Sequence, residues 1–259
     1  MSERKGGKVI RRRRQRRRRM VKRMLAFLVV LVVVVFAYQI YARYGGVDEA
    51  KLREEHCPES LIELAKRNPE AREFVYHFAT RADEQQDMDV SKEIQEGEIP
   101  LFLQWDERWG YTWYGDDYMA VTGCGPTCLS MVYCGLSGDA SRNPYWVAHL
   151  AEEEGYYVDG SGSSWSIMTD FASEMGLIVS AVSFDEESIL TELQQGRPII
   201  CVVGPGDFTT TGHFIVLVGV DDRGEIMIRD PNSKKNSNKT WALEDLVPQI
   251  RNLWSYRYA

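Results

Sequence analysis

The chain has 259 residues, 44% of them hydrophobic and 11% aromatic, with 31 Lys and Arg against 38 Asp and Glu. The aromatic content calls for a packed core, and the modest Gly and Pro content excludes a collagenous or largely disordered chain. Five scattered cysteines are too few for a disulfide scaffold, and the length accommodates one or two domains.

The charge is unevenly distributed. Residues 1–23 hold thirteen Lys and Arg and one Glu, or +12, while the remaining 236 hold 18 basic and 37 acidic residues, or −19. The arginine runs Arg11–Arg14 and Arg16–Arg19 lead into Met24–Ala42, 19 residues without a charge. At ~1.5 Å per residue such a helix is about long enough for a hydrocarbon core of ~30 Å. Tyr38 and Tyr41 lie where an interfacial aromatic belt would sit, and Lys and Arg beside a span stay cytoplasmic. Residues 1–23 are therefore expected to be a cytoplasmic Arg-rich segment against anionic lipid headgroups. Residues 24–42 are expected to be an uncleaved transmembrane helix, a single-pass signal-anchor in the cell membrane, with all that follows extracytoplasmic. Two readings compete. A cleaved signal peptide would want a small-x-small site, and none follows cleanly. A nucleic-acid-binding arm gives no reason for the apolar stretch, so no nucleic acid partner is expected.

Residues 43–98 are polar and mainly helical in pattern, which predicts a helical stalk and linker. Pro58-Glu59 opens one helix with Leu61, Ile62, Leu64 and Ala65 on a face; Asn68-Pro69 ends it and starts another bearing Phe74, Val75 and Phe78. Residues 82–98 are acidic and aperiodic. From Ile99 on, helices are predicted over 125–136, 143–154 and 164–175, then strands over 177–183, 198–203, 213–220 and 225–229, with a helix over 185–195 closed by Gly196. A helical half followed by an antiparallel β half predicts an α+β domain of two lobes over 99–259, with a cleft between them. Ser164 is expected to cap the helix over 164–175. Trp109, Tyr111, Trp113 and Tyr114 form an aromatic cluster assigned to core packing, with a groove wall as the alternative.

Cys124 lies in Gly123-Cys124-Gly125-Pro126-Thr127-Cys128, where Pro126 suits the first turn of a helix. Unpaired N–H groups and the helix dipole there favour an anion, so the thiol should ionise readily. Cys128, Cys134 and Cys201 read as small core hydrophobes. Of the four histidines, His56 and His77 fall in the polar segment and His149 in a helix. His213 opens the apolar strand Phe214–Val218 after a Gly- and Thr-rich run, so it is held by the scaffold yet reaches the cleft. Asp221-Asp222-Arg223-Gly224 marks a turn, and the returning strand ends at Asp230-Pro231. In that hairpin Asp230 comes near His213, with Asn232 as the alternative while the register is open. Asp230 would orient the imidazole and His213 would serve the Cys124 nucleophile. Gln104 and the backbone N–H of Cys124 are candidate oxyanion donors, a plain surface glutamine being the alternative for the former.

Gln104-Trp105-Asp106-Glu107-Arg108-Trp109-Gly110-Tyr111, Gly123–Thr127, Gly212-His213-Phe214 and Asp230-Pro231 together resemble the bacteriocin-processing (double-glycine) peptidase-like family of papain-like cysteine peptidases. The resemblance covers about Ile99–Ala259. It implies a papain-like fold in which Cys124 is nucleophile, His213 base, Asp230 orienter and Gln104 part of the oxyanion hole. It implies no metal or organic cofactor, and a peptide or cell-wall peptide as substrate. A cell-wall amidase or acyl transferase would use the same residues, and a catalytically inactive papain-like binding module at the cell surface is the non-enzymatic alternative.

Overall fold

The computed structural model describes residues 20, 22, 24, 27–31, 33–35, 46–95 and 97–258. It divides into two units, Met1–Val47 and a compact unit from Asp48 on. In the first unit the described residues as far as Val35 are helical, and apolar side chains among them, including Phe27, Leu28 and Val30, are exposed. No helix of the described residues is long and apolar enough to cross a membrane. The remainder of the span expected over 24–42 lies outside the described residues.

The compact unit opens with four helices, α1 (Glu49–Glu54), α2 (Glu59–Arg67), α3 (Arg72–Tyr76) and α4 (Phe78–Arg81). Asn68 ends α2 in an extended conformation, and its side chain accepts the Glu70 N–H, so the Asn-Pro break falls where the sequence puts it. From Asp48 on, the segment expected as a helical stalk and linker belongs to the compact unit. Leu61, Ile62, Leu64, Ala65, Phe74 and Val75 are buried, and burying that much apolar surface stabilises by ~25 cal/mol per Å². Phe74 stacks on Tyr111 with ring centroids 4.2 Å apart, and the Tyr111 hydroxyl donates to the Phe74 carbonyl at 2.6 Å. A Cβ at Gly110 would lie 2.7 Å from the Phe74 ring, so the helix seats only against a glycine. The acidic stretch 82–98 has little regular structure, one 3-10 turn at Ser91–Glu93, but it buries Val90 in the core.

A short hairpin, β1 (Trp113–Tyr114) and β2 (Asp117–Tyr118), precedes α5 (Met119–Thr122), α6 (Cys124–Ser137) and α7 (Pro144–Glu153). α6 stops at Gly138, which takes φ 71° and returns its N–H to Cys134. α7 starts with Asn143, which caps the Trp146 N–H, and Pro144 in the first turn. A second small hairpin, β3 (Tyr157–Val158) and β4 (Gly162–Ser163), follows. The helix predicted over 164–175 is broken: a 3-10 turn at Trp165–Met168 and α8 (Asp170–Glu174) meet at Thr169, and Ser164 makes no capping bond.

The remaining elements are β5 (Leu177–Ala181), α9 (Glu186–Gln194), β6 (Ile199–Val203), β7 (His213–Val220), β8 (Ile226–Arg229), α10 (Lys234–Ser237), β9 (Thr240–Trp241), α11 (Leu243–Leu246) and β10 (Ile250–Tyr258). They build a six-stranded antiparallel sheet in the order β5-β10-β6-β7-β8-β9. Ile200, Val202, Phe214, Val216, Trp254 and Tyr256 face the core that contains α6 and α7. Ile199, Cys201, Val203, Ile215 and Leu217 face a second core with Ile189, Leu193 and Leu246. Burial on both faces explains why 198–203 reads as an unbroken apolar run rather than an alternation. β10, unpredicted, lies between β5 and β6. The α+β prediction matches this architecture.

Candidate active site

Cys124 is the first residue of α6, with Gly123 as its N-cap. The hydroxyl of Thr127 donates to the Gly123 carbonyl at 2.7 Å and fixes that turn. Gly125 brings the helix against β4: a Cβ there would meet Ser163 Oγ at 2.5 Å. Cys124 is partly exposed, whereas Cys57, Cys128, Cys134 and Cys201 are buried, and all five are free thiols. Burial raises the pKa of all four buried thiols. Burial opposes ionisation of Cys124 as well, but a hydrogen bond and charge from His213, with the N–H groups of Phe214 and Gly125, lower its pKa below the ordinary thiol value.

His213 begins β7, and the imidazole is held at the strand mouth. β7 pairs with β8 through Val216 and Arg229, with a bulge between Leu217 and Gly219. Continuing that register sets Asp230 opposite Ile215, a diagonal neighbour of His213 on the same face. His213 Nε2 lies 2.8 Å from Asp230 Oδ1. Asp230 is 1% exposed and accepts two further bonds, from the Asn236 side-chain amide at 2.8 Å and from the Asn232 N–H at 2.9 Å. Burial penalises both charges, yet Asp230 raises the imidazolium to about 10, and His213 in turn lowers the Asp230 carboxyl. The alternative orienter, Asn232, has its side chain elsewhere, accepting from the Asn68 amide at 2.9 Å. The other histidines stand apart: His77 contacts Glu107 at 2.6 Å and His149 lies 3.6 Å from Glu153.

Gln104 is 3% exposed, which removes the surface-glutamine alternative. Its Nε2 donates to the carbonyls of Ala120 and Val121 at 2.8 and 3.3 Å, and its Oε1 is buried without a partner. The amide thus ties down the backbone just ahead of Cys124, and its nitrogen is turned away from the role of free oxyanion donor. The Cys124 N–H, in the first turn of α6, has no carbonyl four residues back within its own helix to bond.

Two cavities meet at this constellation. One, of about 600 Å³, is bordered by Cys124, His213, Asp116, Ser163 and Trp165; the other, of about 470 Å³, by Cys124, His213, Gln104, Phe208 and Thr209. Arg67, at the end of α2, borders both. Of the aromatic cluster, Trp109, Tyr111 and Tyr114 are core and Trp113 is 60% exposed; none borders either cavity. Sequence reasoning missed Asn236, Ser163 and Arg67. None of the three carries a motif, and Arg67 is the last residue of its helix, where a basic side chain is ordinary.

The fold is a mixed one of helices and an antiparallel sheet, and its family is that of a cysteine peptidase. A family model described as Peptidase_C39 like family matches residues 96–258, and the chain belongs to that family. A search of curated proteins finds no match. Among solved structures, the peptidase domain of Streptococcus ComA, a bi-functional ABC transporter involved in a quorum sensing pathway, is similar at 19% identity and a TM-score of 0.41, over 53% of this chain and 93% of that one.

Proposed function

We propose that this protein is a membrane-anchored thiol peptidase with a papain-like Cys124–His213–Asp230 triad, acting on peptides or cell-wall peptides outside the cytoplasm. The observation that carries the chemistry is the joining of a lowered thiol, a raised imidazole and a buried carboxylate at the meeting point of two cavities. The anchoring rests on the uncharged stretch 24–42 behind a +12 segment.

The Cys124 thiolate attacks the peptide carbonyl carbon, and the carbonyl electron pair moves to oxygen. The Cys124 N–H stabilises that oxyanion, with Gln104 holding the preceding backbone in place. Collapse of the intermediate breaks the C–N bond while the His213 imidazolium gives its proton to the departing amine. His213, now neutral, removes a proton from water, the hydroxide adds to the thioester, and the carboxylic acid leaves as the thiolate and imidazolium are restored. Asp230 holds the ring through Nε2 and leaves Nδ1 for the sulfur. In Cys124→Ala, turnover of a peptide or cell-wall substrate is expected to vanish while the circular dichroism spectrum and melting temperature stay near wild type. Turnover surviving in that variant would place the chemistry elsewhere.

A further inference from the structure

We propose that Arg67 is a specificity residue that binds a carboxylate of the substrate beside the scissile bond, so that the enzyme selects peptides presenting a carboxylate there. This deepens the peptidase reading and rests on it. The position of Arg67 is the first ground. It borders both cavities, and these share Cys124 and His213, so a chain lying through the groove passes the guanidinium as it passes the sulfur. Its placement is fixed from both sides. α2 buries Leu61, Ile62, Leu64 and Ala65. Immediately after it, the Asn68 amide donates to the Asn232 carbonyl at 2.7 Å and Glu70 accepts from the Ser233 hydroxyl at 2.6 Å.

The second ground is what the guanidinium contacts. Arg53, Arg81, Arg108, Arg197 and Arg223 each hold a carboxylate. Among the described residues, the contact made by Arg67 is from Nε to the carbonyl of Glu63 at 3.3 Å, and its side chain is exposed. The two terminal nitrogens of a planar donor fork are thus left facing solvent over the groove. Carboxylates matching that fork would bind it with two parallel bonds.

The acids that border the groove are committed elsewhere. Asp116 accepts from the Tyr157 hydroxyl and the Gly160 N–H, Asp117 from the Ser60 hydroxyl, and Asp207 from the Gln249 amide. In the smaller cavity Thr209, Thr210 and Thr211 add hydroxyls that suit an anion. Arg67 lies ahead of residues 96–258, the part matched by the family model. This cation is therefore an addition that the segment from Asp48 brings to the cleft.

The partner chemistry is a carboxylate, which a peptide supplies either from an Asp or Glu side chain or from a free terminus. The test measures kcat/KM on paired peptide libraries. One pair carries Glu or Gln at each position flanking the cleaved bond; the other ends close to that bond as a free acid or an amide. Wild-type enzyme is expected to favour the acid in one pair by about tenfold or more, the usual size of a charge-assisted hydrogen bond. The pair that discriminates identifies the source of the carboxylate. In Arg67→Gln the acid-to-neutral ratio should fall to near one, in Arg67→Lys it should be partly kept, and in Arg67→Glu libraries with Lys at that position should gain. A wild-type ratio near one, or a ratio unchanged in Arg67→Gln, overturns the assignment to Arg67 while leaving a working peptidase. Folded wild-type enzyme that cleaves none of the libraries overturns the peptidase reading itself, and this inference with it.

Discussion

At the scale of single residues, Cys124 and His213 are each understood only through the other. Left to burial alone the thiol would behave like Cys128, whose pKa is well raised by desolvation. The His213 hydrogen bond and charge reverse that sign. In wild type, the alkylation of Cys124 by iodoacetamide should therefore persist below the pH at which an ordinary thiol loses its reactivity, and fall only as pH drops through the lowered value. In His213→Asn, burial remains and the compensation is gone, so the midpoint moves above the ordinary thiol value. Each unit of that rise removes about tenfold of the thiolate at neutral pH. Mass-spectrometric labelling rates across pH check this, with Cys128, Cys134 and Cys201 as slow internal references. An unmoved midpoint would show that the helix terminus, not His213, sets the thiol. On the alkaline side, peptide turnover should decline as pH passes His213 at about 10, because the leaving amine then lacks its proton donor.

The elements show which parts of the site were legible in the sequence. β7 runs over 213–220 as expected, and α6 begins one residue before the predicted start, because apolar runs and Gly or Pro stops are strong local signals. The nearness of His213 and Asp230 followed from the turn at 221–224, but the bulge beside Val218 that sets their diagonal is a tertiary adjustment with no local signature. β10 was missed because its pattern mixes polar Arg251, Asn252, Ser255 and Arg257 with aromatics; Ser255 and Tyr256 are adjacent and both buried, which neither alternation nor an apolar run describes. Contact between α6 and β4 was equally hidden, and it makes a sharp prediction. In Gly125→Ala the new Cβ meets Ser163 Oγ at 2.5 Å and Ser163 Cβ at 2.8 Å, so β4 must move and the Tyr114–Ser163 bond weakens. Overpacking of this kind costs ~1–3 kcal/mol. Thermal denaturation should show a lower Tm, and Ser163→Gly in the same chain should recover part of it. A wild-type Tm in the single variant would mean that the helix start yields without strain.

For the whole molecule, the proposed topology is a prediction about sidedness. With +12 ahead of residues 24–42, the amino terminus should stay inside and the acidic compact unit should cross, since acidic residues contribute little to orientation. Intact cells bearing a tag at each terminus, treated with external protease, should lose the carboxy-terminal tag alone. A protected carboxy-terminal tag behind a barrier shown to be permeable would put Cys124 in the cytoplasm.

The position of β10 also governs when the sheet can close. Residues 250–258 fill the slot between strands that end nearly fifty residues or more earlier in the chain, so β5 and β6 gain their shared neighbour only after every other strand has been made. Until then β6 exposes an apolar edge, and Trp254 and Tyr256, which complete the layer under α6, are missing. Pairings so distant in sequence close slowly. The sheet whose β7 carries His213 is therefore completed last at its β5-β10-β6 side, with the core layer against α6 closing at the same step.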